Sequence, residues 1–266
     1  MSGPTITVVT PCLNARPTVE EALASVRAQD YAHVEHVVVD GGSTDGTLEL
    51  LAAAEGIRYV SEPDRGLSDA MNKGIAMATG DVIGWLNADD CYLPGALSRV
   101  GAAFVAQPEA LWVTGRCRII DGAGHEIRKP VSAYKNFLLD HYSHPLYLTQ
   151  NFISAPATFV HKRGHERVGL YDERFKISMD YDLFLRLAEI ADPVVLDSEL
   201  SCFRMAHEHA SLSMSGFERQ FREHAQNARE HGDGHRLPVL ANQAISRGII
   251  ATYKAMRWAR TRRAAA

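Results

Sequence analysis

The chain has 266 residues, enough for one large domain or two small ones. Its hydrophobic content of 46% and charged content of 23% match ordinary soluble domains, and its formal net charge of −4 gives no reason to expect nucleic-acid binding. The four cysteines form neither a C-x-x-C pair nor a zinc spacing, so we expect free thiols in a reducing compartment. The sequence shows no signal-like N-terminus and no run of about 18 apolar residues, which predicts a cytoplasmic protein.

Strand-like and helix-like segments alternate along the first part of the chain. Short β-branched or apolar runs predict strands over residues 5–10, 35–39, 57–61 and 81–86, and a further strand that begins at 111. Apolar residues at helical spacing predict helices over 17–29, 45–54 and 67–78, and another after Pro94. Strands that alternate with helices in this way indicate βαβ units and a largely parallel α/β sheet.

Polar and acidic residues gather directly after four of the predicted strands. The four segments are residues 11–14, 40–47, 62–69 and 87–90. In open parallel sheets, ligands bind at the carboxyl ends of the strands, which meet at the same edge. The sequence therefore predicts a binding site formed by these four segments.

The pattern changes after about residue 116. The segments become irregular and carry several aromatic residues and histidines, and one clear helix is predicted over residues 180–190. From residue 215 onward the sequence is typical of charged helices, interrupted near Gly232 and Gly234 and at Pro238. We expect a smaller lobe packed against the sheet, followed by a helical C-terminal tail.

The turn Asn87-Ala88-Asp89-Asp90 follows an apolar strand. Two adjacent carboxylates at the end of a buried strand repel each other unless a positive group joins them. A divalent cation that bridges a diphosphate would compensate, because Mg²⁺ and Mn²⁺ favour carboxylate and phosphate oxygens. The alternative is that Asp89 or Asp90 only caps the helix that follows.

The segment 40–47, with the sequence DGGSTDGT, combines a strand end, glycines and two carboxylates. A carboxylate in such a place accepts hydrogen bonds from a nucleobase imide or a ribose hydroxyl. The alternative is a tight strand-to-helix turn with Asp45 near the N-cap. The segment contains neither G-x-G-x-x-G nor G-x-x-x-x-G-K-[ST], so it lacks the two common phosphate-binding motifs.

Several motifs in chain order resemble those of family 2 glycosyltransferases with the GT-A fold. They are TPCLN (10–14), VVDGGSTDGT (38–47), EPDRG (62–66), DAMNKG (69–74), ATGD (78–81) and LNADD (86–90), and the resemblance extends to SMDYDLFLRL (178–187). It covers about residues 5–212. It implies an inverting, nucleotide-sugar-dependent enzyme with a Rossmann-like, mostly parallel sheet, helices on both faces, a smaller acceptor-side lobe and a helical tail. On this interpretation residues 1–115 form the nucleotide-sugar-binding half, 116–213 the acceptor-binding and catalytic-base half, and 214–266 the tail.

The resemblance also implies roles for individual residues of the donor site. The nucleotide sugar would be bound by Pro11, Asn14, Asp40, Asp64, Lys73, Asn87 and Asp89. The metal, Mn²⁺ or Mg²⁺, would be held by Asp89 and Asp90 with the help of a histidine, His207 or else His209. The alternative is that each of these histidines is a surface residue without a role in the site. Asn87 stands where many relatives have the first Asp of a D-x-D motif, so we expect it to bind a ribose hydroxyl rather than metal.

Two carboxylates at the start of the predicted helix 180–190 are candidates for the catalytic base. Sugar transfer needs a group that takes the proton of the attacking hydroxyl, and the family pattern places this group at Asp180. Asp182 is the second candidate. Both residues could instead be first-turn carboxylates that the helix dipole favours.

The sequence predicts the class of substrate and the location of the protein in general terms. We expect a UDP-sugar donor, with GDP- and dTDP-sugars as alternatives, and a glycan or lipid-linked acceptor. Residues 150–158 resemble the family's acceptor-side loop, in which Ser154 and Thr158 would contact hydroxyls; the alternative is a plain loop that leads into a strand. Residues 244–266 contain six basic residues and no acid, so this helix would lie either on an anionic membrane surface, at the inner face of the membrane, or in solvent. The sequence makes no prediction of the oligomeric state.

Two rival functions fit parts of the pattern. A nucleotidyltransferase that makes sugar nucleotides would also have metal-binding acids, but it needs a basic, glycine-rich loop after the first strand. Here that place holds Pro11 to Asn14, with only Arg16 nearby. A binding module without catalysis would not need Asp180 together with Asp89 and Asp90.

Overall fold

Four parallel strands and the helices between them form the first part of the fold. In the computed structural model, which describes residues 3–205 and 214–264, these strands are β1 (Ile6–Cys12), β2 (Val34–Asp40), β3 (Ile57–Ser61) and β4 (Val82–Trp85). The helices are α1 (Val19–Arg27), α2 (Thr47–Ala53) and α3 (Leu67–Met77). The strands lie in the order β3-β2-β1-β4, and every pairing among them is parallel. The predicted βαβ alternation is confirmed.

The second part of the chain continues the same sheet. Its elements are β5 (Cys91–Tyr92), α4 (Ala96–Ala106), β6 (Trp112–Ile120), α5 (Lys129–Asp140), α6 (His144–Thr149), a 3₁₀ turn (Ala155–Ala157), β7 (Thr158–His161), α7 (Lys162–Val168), α8 (Met179–Ala188) and β8 (Val194–Arg204). Beyond β4 the order is β7-β6-β8-β5, with β7 antiparallel to both of its neighbours. The sequence pattern did not predict β5, β7 or β8, which have two, four and eleven residues.

Two long helices, α9 (Met214–Glu230) and α10 (Arg236–Ala264), follow the sheet. The predicted break near Gly232 and Gly234 is confirmed, since α9 ends and α10 begins on either side of it. The break expected at Pro238 is absent, because this residue lies in the first turn of α10, where its missing N–H costs no helical hydrogen bond. No helix in the described part of the chain is both long and apolar enough to cross a membrane.

Buried side chains on the two faces of the sheet form two separate cores. Val8 and Val82 pack with α1 and α4 on one face, whereas Val9 and Ile83 pack with α3 and α8 on the other. Adjacent residues of a strand point to opposite faces, so strands covered by helices on both faces are apolar throughout. Full burial of a large apolar side chain of this kind contributes about 1.5–3 kcal/mol. Helix α8 is held tightly because seven of its apolar residues belong to one core (Met179, Tyr181, Leu183, Phe184, Leu185, Leu187 and Ala188).

The carboxyl ends of the first strands are aligned by their register. Cys12 of β1 pairs with Asp40 of β2, which pairs in turn with Ser61 of β3. The amide of Gly41 donates to the carbonyl of Cys12 at 2.9 Å, and the amide of Glu62 donates to that of Asp40 at 3.0 Å. The loops after these strands therefore begin side by side, as the sequence predicted.

Candidate active site

A cleft of about 920 Å³ opens at the carboxyl ends of β1 and β4. One wall is formed by residues that follow these strands, and the opposite wall by α5, the start of α8 and α9. Of the predicted site residues, the cleft is lined by Pro11, Asn14, Asn87, Asp89 and Asp180. Asp40, Asp64, Lys73, Asp90 and Asp182 are not among its lining residues.

Asp40 is fully buried beneath the loop that follows β2. Its carboxylate accepts hydrogen bonds from the amides of Gly42 at 3.0 Å and Ser43 at 2.9 Å, and from the hydroxyls of Ser43 and Ser61. Burial acts to raise the pKa of Asp40, but these hydrogen bonds outweigh it and hold the pKa below its usual value. Asp40 thus fixes the shape of the loop, and its contact with the nucleobase stays a prediction.

Asp64 and Lys73 stabilise the neighbouring loop after β3. Asp64 Oδ1 accepts a hydrogen bond from the amide of Gly66 at 2.8 Å. Its Oδ2 lies so close to Gly41 that a Cβ atom at that position would be only 2.5 Å from it. Lys73 donates to the carbonyl of Pro63 at 3.1 Å and pairs with Glu62 at 2.8 Å. Both residues thus make contacts within the loop, and their contacts with the donor stay predictions.

The turn after β4 is held by its own side chains. The indole of Trp85 donates to Asn87 Oδ1 at 2.6 Å, and the amide of Asn87 donates to Asp90 Oδ2 at 2.8 Å. Asp90 is buried, and its Oδ1 accepts the backbone amide of Arg204 at 2.8 Å. The turn thus directs Asp89 toward the cleft and Asp90 into the protein, so of the two predicted metal ligands only Asp89 lines the cleft.

Arg204, at the end of β8, supports this turn from behind. Its side chain is buried, donates through Nε to the carbonyl of Asp89 at 2.8 Å, and pairs with Glu21 at 2.6 Å. The guanidinium of Arg204 thus lies under the turn, where it fixes the backbone of Asp89.

A divalent cation fits the donor set at Asp89. Within residues 3–205 and 214–264, no group of three His, Cys, Asp or Glu side chains is placed to hold a metal by itself. Mg²⁺ and Mn²⁺ often bind through one or two carboxylates together with substrate phosphates, so a single carboxylate facing the cleft is compatible with metal binding. His207 and His209 lie outside the described residues.

Asp180 is half-buried in the opposite wall, in the first turn of α8. Burial raises its pKa to about 6, while hydrogen bonds from the amide of Tyr181 and the side chain of Asn151, and the charge of Lys135, act in the other direction. A carboxyl group with this pKa is largely ionised at neutral pH and yet basic enough to take up a proton. Asp180 therefore has the properties of a general base.

Lys135 of α5 is a further charged residue of the cleft wall, which the sequence did not predict. Its ammonium group donates to Ser154 Oγ at 3.1 Å, lines the cleft and interacts electrostatically with Asp180. Burial lowers the pKa of Lys135, and the charge of Asp180 opposes this shift. The sequence alone does not single out a lysine on an amphipathic helix, because the carboxylate that it interacts with lies on another element.

Asp182, the second candidate base, points away from the cleft. It is buried and bound by Arg186, whose Nη2 lies 2.6 Å from Oδ2, and by His231, whose Nε2 lies 2.9 Å from Oδ1. Residues two apart on a helix face different directions, so only one of the two carboxylates can face the cleft. The structure thus assigns Asp182 to the packing of α8 against its neighbours.

Two further parts of the wall come from the loop before β7 and from α9. Asn151 and Ser154 line the cleft, as expected for an acceptor-side loop, whereas Thr158 is buried and bonded to Thr114. The α9 residues in the wall, which the sequence did not predict, are Gln220, Phe221 and His224. Burial lowers the pKa of His224 to about 3, so its imidazole is neutral at physiological pH.

The sequence is similar to that of known glycosyltransferases. The profile of Glycosyl transferase family 2 matches residues 7–164. An uncharacterized glycosyltransferase of Mycobacterium tuberculosis is 32% identical over 202 residues, which are 73% of this chain and 73% of the relative. A PGL/p-HBAD biosynthesis glycosyltransferase of Mycobacterium bovis is 38% identical over 115 residues, which are 41% of this chain and 44% of that protein.

Solved structures of glycosyltransferases share the fold. The mannosyltransferase PcManGT of Pyrobaculum calidifontis, in complex with GDP-Man and Mn²⁺, superposes with a TM-score of 0.66 at 19% identity, over 96% of this chain and 80% of that one. A fragment of TarS of S. aureus in complex with UDP-GlcNAc superposes with a TM-score of 0.60 at 17% identity, over 84% and 66% of the two chains. At this level of identity the likeness concerns the fold.

Proposed function

This chain belongs to glycosyl transferase family 2 and is therefore a glycosyltransferase, and we propose that it transfers a sugar from a nucleoside-diphosphate sugar to an acceptor hydroxyl with inversion at the anomeric carbon. The observation that carries the proposal is that two carboxylates line the same cleft from opposite walls. Asp89 follows a strand of the donor half, and Asp180, with a pKa of about 6, faces the cleft from the other wall.

The donor would bind along the carboxyl ends of β1 and β4. Pro11 and Asn14 line this end of the cleft, and the Asn14 carboxamide accepts the amide of Thr44 at 2.9 Å, which links the loops after β1 and β2. Asp89 would hold Mg²⁺ or Mn²⁺, which supplies positive charge beside the diphosphate when it is bound. A UDP-sugar is the first candidate, since TarS binds UDP-GlcNAc, and GDP- and dTDP-sugars are the alternatives, since PcManGT binds GDP-Man.

The proposed reaction is a single displacement. Asp180 takes the proton of the acceptor hydroxyl while the hydroxyl oxygen forms a bond to the anomeric carbon. The bond from that carbon to the diphosphate oxygen breaks, and the electron pair leaves with the nucleoside diphosphate. Lys135 favours the ionised form of Asp180 before the reaction, and Asn151 donates a hydrogen bond to the same carboxylate.

The two rival functions find less support in the cleft. A nucleotidyltransferase would bind a triphosphate with basic residues in the loop after β1, but this loop contributes Leu13, Asn14 and Ala15 to the cleft. A module that only binds sugar nucleotides would not benefit from a carboxylate with a raised pKa, because burying that group reduces stability at neutral pH.

We also propose that the acceptor is a glycan or a lipid-linked saccharide, and that the protein works at the inner face of a membrane. The motivation is the basic C-terminal part of α10, which an anionic surface would attract. This proposal is independent of the assignment of Asp180.

A two-step experiment tests the function. Thermal-shift measurements with UDP-, GDP- and dTDP-sugars and Mn²⁺ identify the donor, which should raise Tm by roughly 5 to 10 °C at a hundredfold excess over Kd. Asp180→Asn should then reduce transfer by about 100- to 10,000-fold while nucleotide binding stays nearly intact, since the base acts only on the acceptor.

The control for Asp180→Asn is Asp182→Asn, a substitution two residues away on the same helix. It should lower Tm, because it weakens a buried ion pair, and should reduce transfer far less than Asp180→Asn does. Transfer by Asp180→Asn at the wild-type rate, or a parallel loss of nucleotide binding, would rule out the assigned base.

A further inference from the structure

Helix α9 holds the segment that leads into Asp180. Glu223 is buried, and its carboxylate accepts three consecutive backbone amides, those of Lys176 at 3.2 Å and of Ile177 and Ser178 at 2.9 Å each. A buried carboxylate is stable only when hydrogen bonds or charges replace its hydration. Three amides at the start of α8 supply these hydrogen bonds, and the positive end of the helix dipole also favours the negative charge of Glu223.

The other polar groups of Ser178 are also bound by α9. The carbonyl of Ser178 accepts the side-chain amide of Asn227 at 3.0 Å, and its hydroxyl donates to the carbonyl of Gln220 at 3.3 Å. Ser178 is the N-cap residue of α8, but its side chain makes no local capping bond. Contacts from another helix thus take the place of the local side-chain cap that a serine at the N-cap position usually forms.

A second contact fixes α8 beyond Asp180. His231, just past the end of α9, lies 2.9 Å from Asp182 through Nε2. The backbone of Asp180 is thus tied to α9 two residues before and two residues after it. None of these α9 residues falls within residues 7–164, the part that the family profile matches.

We propose that Glu223 is a positioning residue for catalysis: by holding the backbone of residues 176–178, it sets the place of the Asp180 carboxylate in the cleft. This inference rests on the proposed role of Asp180 as the base. An error of about 1 Å in the position of a reacting group can slow a reaction 100-fold. Loss of Glu223 should therefore slow the chemical step, while the donor end of the cleft, formed by other elements, stays intact.

The test compares Glu223→Ala with Glu223→Gln in the full chain. Alanine removes all three hydrogen bonds, whereas glutamine keeps one oxygen that can accept the amides of Ile177 and Ser178. We expect kcat to fall about 10- to 100-fold in the alanine variant and by a smaller factor in the glutamine variant. The KM for the donor, and the affinity for whichever of UDP, GDP and dTDP the thermal-shift screen selects, should change less than about twofold in both.

Glu230→Ala is the matched control, since Glu230 lies on the same helix and pairs with Arg174 rather than with the segment 176–178. Should Glu223→Ala fail to fold, Asn227→Ala removes one hydrogen bond to Ser178 and should lower kcat in the same selective way. Wild-type kcat in the alanine variant, equal losses in the alanine and glutamine variants, or a parallel loss of nucleotide affinity would each overturn the proposal. Asp180→Asn in the same assay separates the two hypotheses: if it is inactive while Glu223→Ala is fully active, only the role of Glu223 is wrong.

Discussion

Asp180 and Asp182 are two carboxylates on one turn of α8 with opposite environments. Asp180 faces the cleft beside Lys135 and Asn151, and its pKa is raised to about 6 by burial. Asp182 is buried between Arg186 and His231 and stabilises the fold. The difference arises because helical residues two positions apart point in different directions, so one carboxylate faces the cleft and the other packs inside the protein.

The pKa of Asp180 predicts the pH dependence of the enzyme. A base acts in its ionised form, so kcat/KM should rise with pH through about 6 and level off above it, and at pH 5 it should be about tenfold below the plateau. Lys135→Gln should move this rise to higher pH, because the lysine charge holds the pKa of Asp180 down. Measurement of kcat/KM from pH 5 to 9 checks both statements, and an unchanged or lower midpoint in Lys135→Gln would contradict the second.

His231 predicts a pH dependence of stability. Burial acts to lower its pKa, but hydrogen bonds to Asp182 and Glu189, both at 2.9 Å, outweigh it and raise the pKa. A raised histidine pKa adds stability that is complete below the ordinary value near 6.5 and is lost as pH rises through the folded value. His231→Gln should therefore reduce the free energy of unfolding by about 1–3 kcal/mol at pH 6 and by less at pH 9.

Denaturant unfolding of both proteins at several pH values measures this effect. His125→Gln, at a side chain that is 80% exposed, serves as the control and should leave the curves unchanged. A stability difference that stays constant from pH 6 to pH 9 would contradict the proposed ion pair.

At the scale of elements, the active-site turn depends on a strand that is distant in sequence. The turn 87–90 follows β4, yet β8 supplies the amide that binds Asp90 and the guanidinium that binds the carbonyl of Asp89. The strand β5 pairs with β8 through Cys91 and Cys202, which fixes the same region. A motif that looks local in the sequence therefore owes its shape to residues more than a hundred positions away.

Arg204→Met should disturb this turn. The variant loses several buried hydrogen bonds and the pair with Glu21, so we expect a stability loss on the order of 3 kcal/mol. Because Arg204 holds the backbone of Asp89, the proposed metal ligand, donor affinity in the presence of Mn²⁺ should fall about 10- to 100-fold. Chemical denaturation and nucleotide titration measure the two effects.

The control for Arg204 is Arg118→Met, which removes a guanidinium that pairs with Glu199 at the surface, between neighbouring strands. Exposed ion pairs contribute less than about 1 kcal/mol, so this change should affect neither stability nor nucleotide binding appreciably. Equal effects of the two substitutions would show that the position of Arg204 under the turn is not important.

At the scale of the whole molecule, one wall of the cleft is formed at the edge of the sheet. The opposite wall is assembled from helices that lie in several parts of the chain. The strands β6, β7 and β8 extend the sheet that β1 to β4 begin. Of the two C-terminal helices, α9 packs on α8 and α10 packs on α6. The side-chain amide of Asn242 in α10 donates a hydrogen bond to the carbonyl of Leu148 in α6. Both tail helices therefore pack as part of the domain.

The end of α10 predicts an association with membranes. Six basic residues follow Ser246 (Arg247, Lys254, Arg257, Arg260, Arg262 and Arg263), and each would contribute about 1 kcal/mol near an anionic surface. The full chain should sediment with vesicles that contain phosphatidylserine, less so in high salt and not with phosphatidylcholine alone. Replacement of the last four by glutamine should abolish sedimentation, and retention of binding by that variant would contradict the proposal.

The sequence by itself determined the parallel half of the sheet, the position of the site at the strand ends, and the family. Periodicity and strand-end polarity are local properties, so 5–10, 35–39, 57–61 and 81–86 could be assigned without knowing their neighbours. The tertiary structure alone decided which acids face the cleft: Asp89 and Asp180 do, whereas Asp40, Asp90 and Asp182 are bound by internal partners. It also decided that Lys135 and α9 form part of the site. The reason is that burial and hydrogen bonding depend on residues far apart in the chain, and no spacing within a motif records them.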